Sequence, residues 1–168
     1  MKLKSLIMTA AALAGMAVGS LAHAADLELL QPGKLMVATE GTYAPFSMRA
    51  PDGKLDGLEI RVMTEVAKRL NLEYTPVLIK WDSLLVGLQA DQYDVISAAM
   101  DITEARQQQV TFSNGWLESG GRVVIPTDSA IKSAADLKGK TVGALVASSW
   151  TKIAEDKGAT AKGYKAES

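Results

Sequence analysis

Leu35-Met36-Val37-Ala38-Thr39 is an apolar run of strand length, and it empties directly into the loop Glu40-Gly41-Thr42-Tyr43-Ala44-Pro45-Phe46. Such a run, ended by a segment holding Gly and Pro, reads as a buried strand. Asp52-Gly53 then marks a turn, flanked by short extended arms at 47–48 and 54–55. Over 58–70 the apolar residues Val62, Met63, Val66, Ala67 and Leu70 recur at helical spacing, and Asn71 is placed to stop that helix. A second strand is expected at 74–79. Strand, helix, strand predicts a βαβ unit and a mostly parallel sheet.

The alternation continues. Asp82 or Ser83 is expected to cap a helix running to Ala90. A short strand follows at 95–98, then a helix capped by Thr103 and reaching Gln109, then extended chain at 110–112. Composition changes at Asn114-Gly115 and again at Gly120-Gly121, and a new alternation begins. Residues 123–125 read as a strand, 133–138 as a short capped helix closed by Gly139, 141–145 as a strand. Ser148 or Ser149 opens a last helix to about residue 157.

Composition removes several chemistries. The 168 residues contain no Cys and one His, at position 23. Residues 1–24 carry Lys2 and Lys4, a charge-free run of apolar and small residues, and the small-x-small site Ala22-His23-Ala24. This is the pattern of a secretory signal peptide cut after Ala24, and the run is too short and too rich in Ala and Gly for a retained anchor. Removing 24 residues and two lysines would leave 144 residues and move the net charge from −1 to −3. The exported chain would hold neither Cys nor His. That excludes disulfides, Cys/His zinc sites, Cys nucleophiles and a Ser-His-Asp triad. Mild acidity argues against binding nucleic acid or an anionic membrane surface. No cofactor and no metal is expected, and a binding role gains weight.

Seven stretches, taken in order, resemble one family. They are Thr42-Tyr43-Ala44-Pro45-Phe46, Gly53-Lys54-Leu55-Asp56-Gly57, Trp81-Asp82-Ser83-Leu84-Leu85, Asp94-Val95-Ile96, Asp101-Ile102-Thr103-Glu104-Ala105-Arg106, Ile131-Lys132-Ser133, and Asp136 to Gly143. The chain is similar to the extracytoplasmic solute-binding proteins of family 3, the polar amino acid receptors of ABC importers. The resemblance implies an α/β, two-lobe, type II periplasmic-binding-protein fold that closes on its ligand like a hinge. Two such lobes need roughly 200 residues. The expected organisation is therefore a signal peptide at 1–24, a first lobe at 25–115 lacking its C-terminal return, and the first half of a second lobe at 116–168, in a C-terminally truncated chain.

The resemblance also implies a site. Arg106, in Ile-Thr-x-x-Arg, is expected to grip a ligand carboxylate, chemistry that a guanidinium's fork suits. Tyr43 and Trp81 are expected to cover the ligand side chain, with a hydrophobic staple at a helix start as the competing role for Trp81. Glu40 is placed to meet a distal cationic group. Ser148 and Ser149 match a hydroxyl pair at a helix start that completes carboxylate binding. Ala98, Ala99 and Asp101 depart from the Ser, Gly or Thr common in the family. The alanines offer only backbone groups. Asp101 is open to three roles: pairing with Arg106, receiving the ligand ammonium, or meeting a second cation. The residue that usually binds the ammonium would lie beyond Ser168.

The function implied is a periplasmic receptor, monomeric, delivering a polar or cationic amino acid or related small zwitterion to the membrane permease of an ABC importer. The alternatives are a cyclohexadienyl-dehydratase-like enzyme using Glu40 or Asp101 as general acid, a sensory input module, and a non-functional fragment.

Overall fold

The computed structural model describes residues 27–118 and 120–165. The export-signal expectation for 1–24 lies outside the described residues. The first strand, β1 (Lys34–Thr39), sits at the centre of a parallel sheet of order β4-β1-β5, with β4 at Glu73–Leu78 and β5 at Val95–Ile96. Register runs from Lys34 opposite Glu73 to Thr39 opposite Leu78, and Val37 faces Val95 on the other side. A strand flanked on both sides satisfies its whole backbone ladder, so it can lose both faces to packing.

β1 shows the period of two. Leu35 and Val37 pack with Ala67 of α1 (Leu58–Arg69), and Ala38 packs on the opposite face with Leu84 of α2 (Leu84–Gln89) and Tyr93. Val37, Ala38, Ala67 and Leu84 are all 0% exposed. β5 is only two residues long, so the Asp94 side chain extends the tie to β1, accepting the Met36 N–H at 2.7 Å and the Leu30 N–H at 2.9 Å. The tight packing of Tyr93 depends on Gly87. A Cβ there would lie 2.2 Å from the Tyr93 hydroxyl oxygen, whose proton goes to the Leu84 carbonyl.

Between β1 and α1 the chain makes a small antiparallel ribbon, β2 (Met48–Arg49) and β3 (Leu55–Asp56). Gly57 then turns the chain into α1 at φ 129°, with the Phe46 carbonyl so close that a Cβ would sit 2.2 Å from its oxygen. The Leu58 and Glu59 amides donate to the carbonyls of Pro45 and Phe46. The loop after β1 is thereby stitched to the start of α1. Asn71, at φ 58°, ends that helix as its sequence position predicts.

The second unit is smaller. A 3₁₀ turn at Ala134–Leu137, closed by a Ser133–Asp136 capping box, leads to β6 (Thr141–Leu145), α4 (Ser149–Asp156) and β7 (Thr160–Tyr164). β6 and β7 are parallel, and Leu137, Ala154 and Ala159 form the buried cluster beneath α4. Before it, α3 (Glu104–Gln107) is a single turn whose Thr103 hydroxyl accepts the Arg106 N–H, the predicted cap, although the helix stops two residues short of Gln109.

Two expectations are corrected, and one strand is added. Residues 123–125 form no strand: Val124 is 94% exposed and β6 pairs only with β7. β-branched residues favour a strand only where a partner ladder exists. Neither Asp82 nor Ser83 caps α2 through its side chain, because a 3₁₀ turn at Trp81–Ser83 runs straight into that helix. β7 was not anticipated. Its Thr-Ala-Lys-Gly-Tyr sequence lacks an apolar alternation, and pairing with β6 makes it a strand.

Candidate functional site

The order β4-β1-β5 contains a reversal. The first crossover, through α1, goes to one side of β1, and the next, through α2, returns across it. Ligands of open α/β sheets bind outside the carboxyl ends of strands at such a switch point. Here the loops after β1 and β5 meet there, and a cleft of about 910 Å³ opens between them and the second unit. The cleft takes its walls from Glu40, Tyr43, Trp81, Ala98, Asp101 and Ser148, among others.

The loop after β1 is held by a buried hydroxyl pair. Thr39 Oγ1 and Ser47 Oγ lie 2.7 Å apart, and Ser47 Oγ also accepts the Gly41 N–H. This fixes Glu40, whose carboxylate accepts the Trp81 N–H at 3.1 Å and so joins two of the expected site residues. The Tyr43 ring packs on Phe46, centroid to centroid 5.2 Å. Trp81 is part core, resting on the Ala38–Leu84–Tyr93–Ala98 cluster, and it carries the Arg106 guanidinium 5.3 Å from its ring centroid. Trp81 thus packs into the core and carries a guanidinium on its ring. The two aromatics are not a matched pair of free plates, because each already has one ring or cation against it.

Arg106 is 8% exposed. One guanidinium nitrogen donates to the Asp101 main-chain carbonyl at 3.0 Å, and the other terminal nitrogen reaches the Ala147 carbonyl at 3.3 Å. Burial lowers its pKa and the Asp101 charge opposes that. An arginine remains charged under such a shift. Five N–H donors exist and two contacts use two of them.

Asp101 takes a partner outside the three roles its sequence position suggests. Its carboxylate accepts the Ser149 hydroxyl, while its main-chain oxygen serves Arg106. Ser148 and Ser149 therefore separate. Ser149 is tied to Asp101, whereas Ser148 Oγ, buried at the start of α4, has no hydrogen-bond partner among the described residues. Ala147, just before them, sits at φ 58°.

Ala98 is buried and Ala99 turns the chain at φ 45°. Here a residue escaped sequence reasoning. Glu59, in the first turn of α1, is 2% exposed, and its Oε1 accepts the Ala99 N–H. Burial pushes the Glu59 carboxyl above the usual range, and the Ala99 amide pulls it partly back. The one available sequence signal was an acid beside apolar Ile60 at a helix start, which ordinarily means only favourable dipole placement.

A parallel sheet of order β4-β1-β5 facing a second βαβ unit across a cleft is the α/β architecture of the type II periplasmic-binding-protein fold. The chain matches the family model of bacterial extracellular solute-binding proteins, family 3, over residues 35–165. It belongs to that family. A probable amino-acid ABC transporter-binding protein of Haemophilus influenzae is 35% identical over 161 residues, covering 94% of this chain and 63% of the relative. The L-cystine-binding protein TcyJ of Escherichia coli is 37% identical over 140 residues, 82% of this chain and 53% of that one. An ancestral arginine-binding protein, solved bound to glutamine, superposes with a TM-score of 0.76 at 34% identity, covering 81% of this chain and 62% of that one. The chain thus spans between half and two thirds of the length of these relatives.

Proposed function

We propose that the chain is the periplasmic receptor portion of an ABC importer for a cationic amino acid or a related zwitterion, exported by residues 1–24. On this reading residues 25–115 form one lobe and 116–168 contribute to a second. The buried Arg106 guanidinium, bonded to the main chain of Asp101, a residue of the cleft wall, carries the proposal. It keeps unused donors and reaches the Ala147 carbonyl, the residue before Ser148, whose buried hydroxyl has no partner among the described residues; a ligand carboxylate is the group that would use both.

Glu40, Tyr43 and Trp81 all line the cleft, and the ligand side chain is assigned to them. A carboxylate with two aromatic rings favours a cation. Glutamine and cystine in the names of the similar proteins show that nearby members take other side chains, so charge preference is the point to test. Binding acts through the two units: ligand that bridges them stabilises the closed arrangement and shifts its population. A closed receptor is the form a membrane permease would meet.

The test is a melting-temperature screen of the purified chain against arginine, lysine, histidine, glutamine, glutamate and prephenate. Arginine or lysine at 100 times Kd is expected to add about 2.7 kcal/mol of stability. A shift with glutamate alone would remove the cationic reading. Conversion of prephenate to an aromatic product would establish an enzyme instead.

A further inference from the structure

Glu59 lies beneath the cleft, and nothing in the ligand-binding reading above uses it. It is the most buried acid among the described residues, at 2% exposure, and it lines the cleft floor. A carboxyl is costly to bury unless it is hydrogen-bonded. Its Oε1 has one partner, the Ala99 N–H at 2.5 Å, across forty residues of sequence. Its Oε2 has none among the described residues.

The partner is a backbone in need of restraint. Ala99 is in the left-handed region at φ 45°, a conformation that costs a residue with a Cβ about 1–2 kcal/mol. On its N-terminal side the β1–β5 ladder ends with the Ser97 N–H donating to the Ala38 carbonyl. On its C-terminal side, two residues on, the Asp101 carbonyl takes the Arg106 guanidinium at 3.0 Å. Ala99 is therefore the pivot that carries the chain from the sheet to the arginine's main-chain acceptor. Were Ala99 to relax to an ordinary backbone conformation, the Asp101 carbonyl would leave Arg106.

We infer that Glu59 is a positioning residue for the ligand site, its carboxyl pinning the Ala99 amide so that the 98–101 backbone holds Arg106 in place. This inference rests on the binding role proposed above. The titratable group that feels Glu59 from the neighbouring sheet is Tyr74 of β4, whose own hydroxyl is buried without a partner. The Asp56–Arg61 pair on the outer face of α1 is solvent-exposed and keeps to itself.

Three variants decide it. Glu59→Ala removes the acceptor, Glu59→Asp shortens its arm by one methylene, and Glu59→Gln keeps an acceptor oxygen on the same arm. Val66→Ala, on the same helix but away from the cleft, controls for lost stability. Readouts are hydrogen exchange of the Ala99 amide and arginine affinity by calorimetry. Losing a buried hydrogen bond costs about 1–3 kcal/mol, so a change of about five- to 150-fold is expected in each readout for Glu59→Ala. Glu59→Asp should follow it, and carries the test if Glu59→Ala does not fold. Glu59→Gln should recover most of both, and Val66→Ala should change neither. Unchanged Ala99 exchange in Glu59→Ala and Glu59→Asp would overturn the inference. So would a Glu59→Gln as impaired as Glu59→Ala, or a Val66→Ala that reproduces the losses. If the unmodified chain binds none of the amino acids, the functional reading falls, and the Ala99 exchange rates still decide whether Glu59 positions the loop.

Discussion

The two parallel units of the chain are built to different depths. In the first, β1 has a strand on either side and a helix over each face, and Val37, Ala38, Ala67 and Leu84 vanish from solvent. In the second, β6 has β7 alone, and its buried cluster is Leu137, Ala154 and Ala159, each still 4–8% exposed. The difference follows from flanking: a strand can be covered on both faces only when its backbone is paired on both edges. It also assigns work. Side chains that need fixed geometry, Arg106, Trp81 and Glu59, stand on or against the first unit. The second presents a helix start, joined to the first by the Arg106–Ala147 and Asp101–Ser149 contacts. One wall of the cleft is deeply packed, and the other is joined to it by these polar contacts, the arrangement that the hinge closure proposed above would use.

The largest test of this contrast is core truncation. Leu84→Ala opens a cavity in a site with no slack and is expected to cost about 3–5 kcal/mol. Leu137→Ala, at the edge of a small cluster able to collapse, is expected to cost about 2–3 kcal/mol. Urea unfolding followed by tryptophan fluorescence measures both. Equal losses would mean that the two units share one depth of packing after all.

Next comes the wall itself. Arg106→Ala removes a buried charged donor set that joins Asp101 to Ala147, and hydrogen bonds to charged groups contribute about 1.5–3 kcal/mol. Arginine affinity should therefore fall about ten- to 150-fold by calorimetry. Arg106→Lys should recover only part, because an ammonium cannot reproduce the fork that reaches both Asp101 and Ala147. The contrast sharpens if amides in the first turn of α4 exchange faster in Arg106→Ala while that of Val37 does not.

A smaller effect concerns pH. Glu59 has its folded-state pKa raised, chiefly by burial. Between the ordinary carboxylate value and that raised value the folded chain keeps a proton that the unfolded chain has lost. Stability must therefore fall as pH rises through this window. Melting temperature against pH should decline there for the unmodified chain, and Glu59→Gln should lack that decline. An identical profile in both would show that Glu59 titrates normally and that the first unit stores no such cost.

The same contrast explains what could be read in advance. β1, α1 and β4 announce themselves by their own apolar runs, and α4 by the serine pair that opens it, whereas Arg106 is singled out only by the family resemblance that Ile102-Thr103-x-x-Arg106 carries. The misreadings all depend on something distant. Residues 123–125 have strand-forming side chains and no partner strand, whereas 160–164 have weak ones and β6 beside them. Glu59 looks like any acid in a first helical turn until a loop forty residues away brings an amide to it. Asp101 was weighed against Arg106 and ligand ammonium, yet its carboxylate finds Ser149, a pairing set by how the second unit sits on the first. Local pattern reveals elements, while the joins between elements come from packing.

The smallest expected effect examines that join directly. Asp101 and Ser149 are forty-eight residues apart in sequence and make the side-chain contact between the two units. Ser149→Ala leaves α4 with its backbone intact, since Ser148 rather than Ser149 occupies the cap position. Asp101→Ala leaves in place the main-chain carbonyl that Arg106 uses. Each single change thus removes the shared hydrogen bond with little else. A double-mutant cycle in urea should give a coupling of about 1 kcal/mol, within the range for groups in direct contact. A coupling near zero would mean the contact forms without holding the units together, leaving Arg106 and Ala147 as the main polar tie. A coupling that grows in saturating arginine would show the reverse: the contact belongs to the closed state, and the second wall of the cleft is fastened where the ligand is.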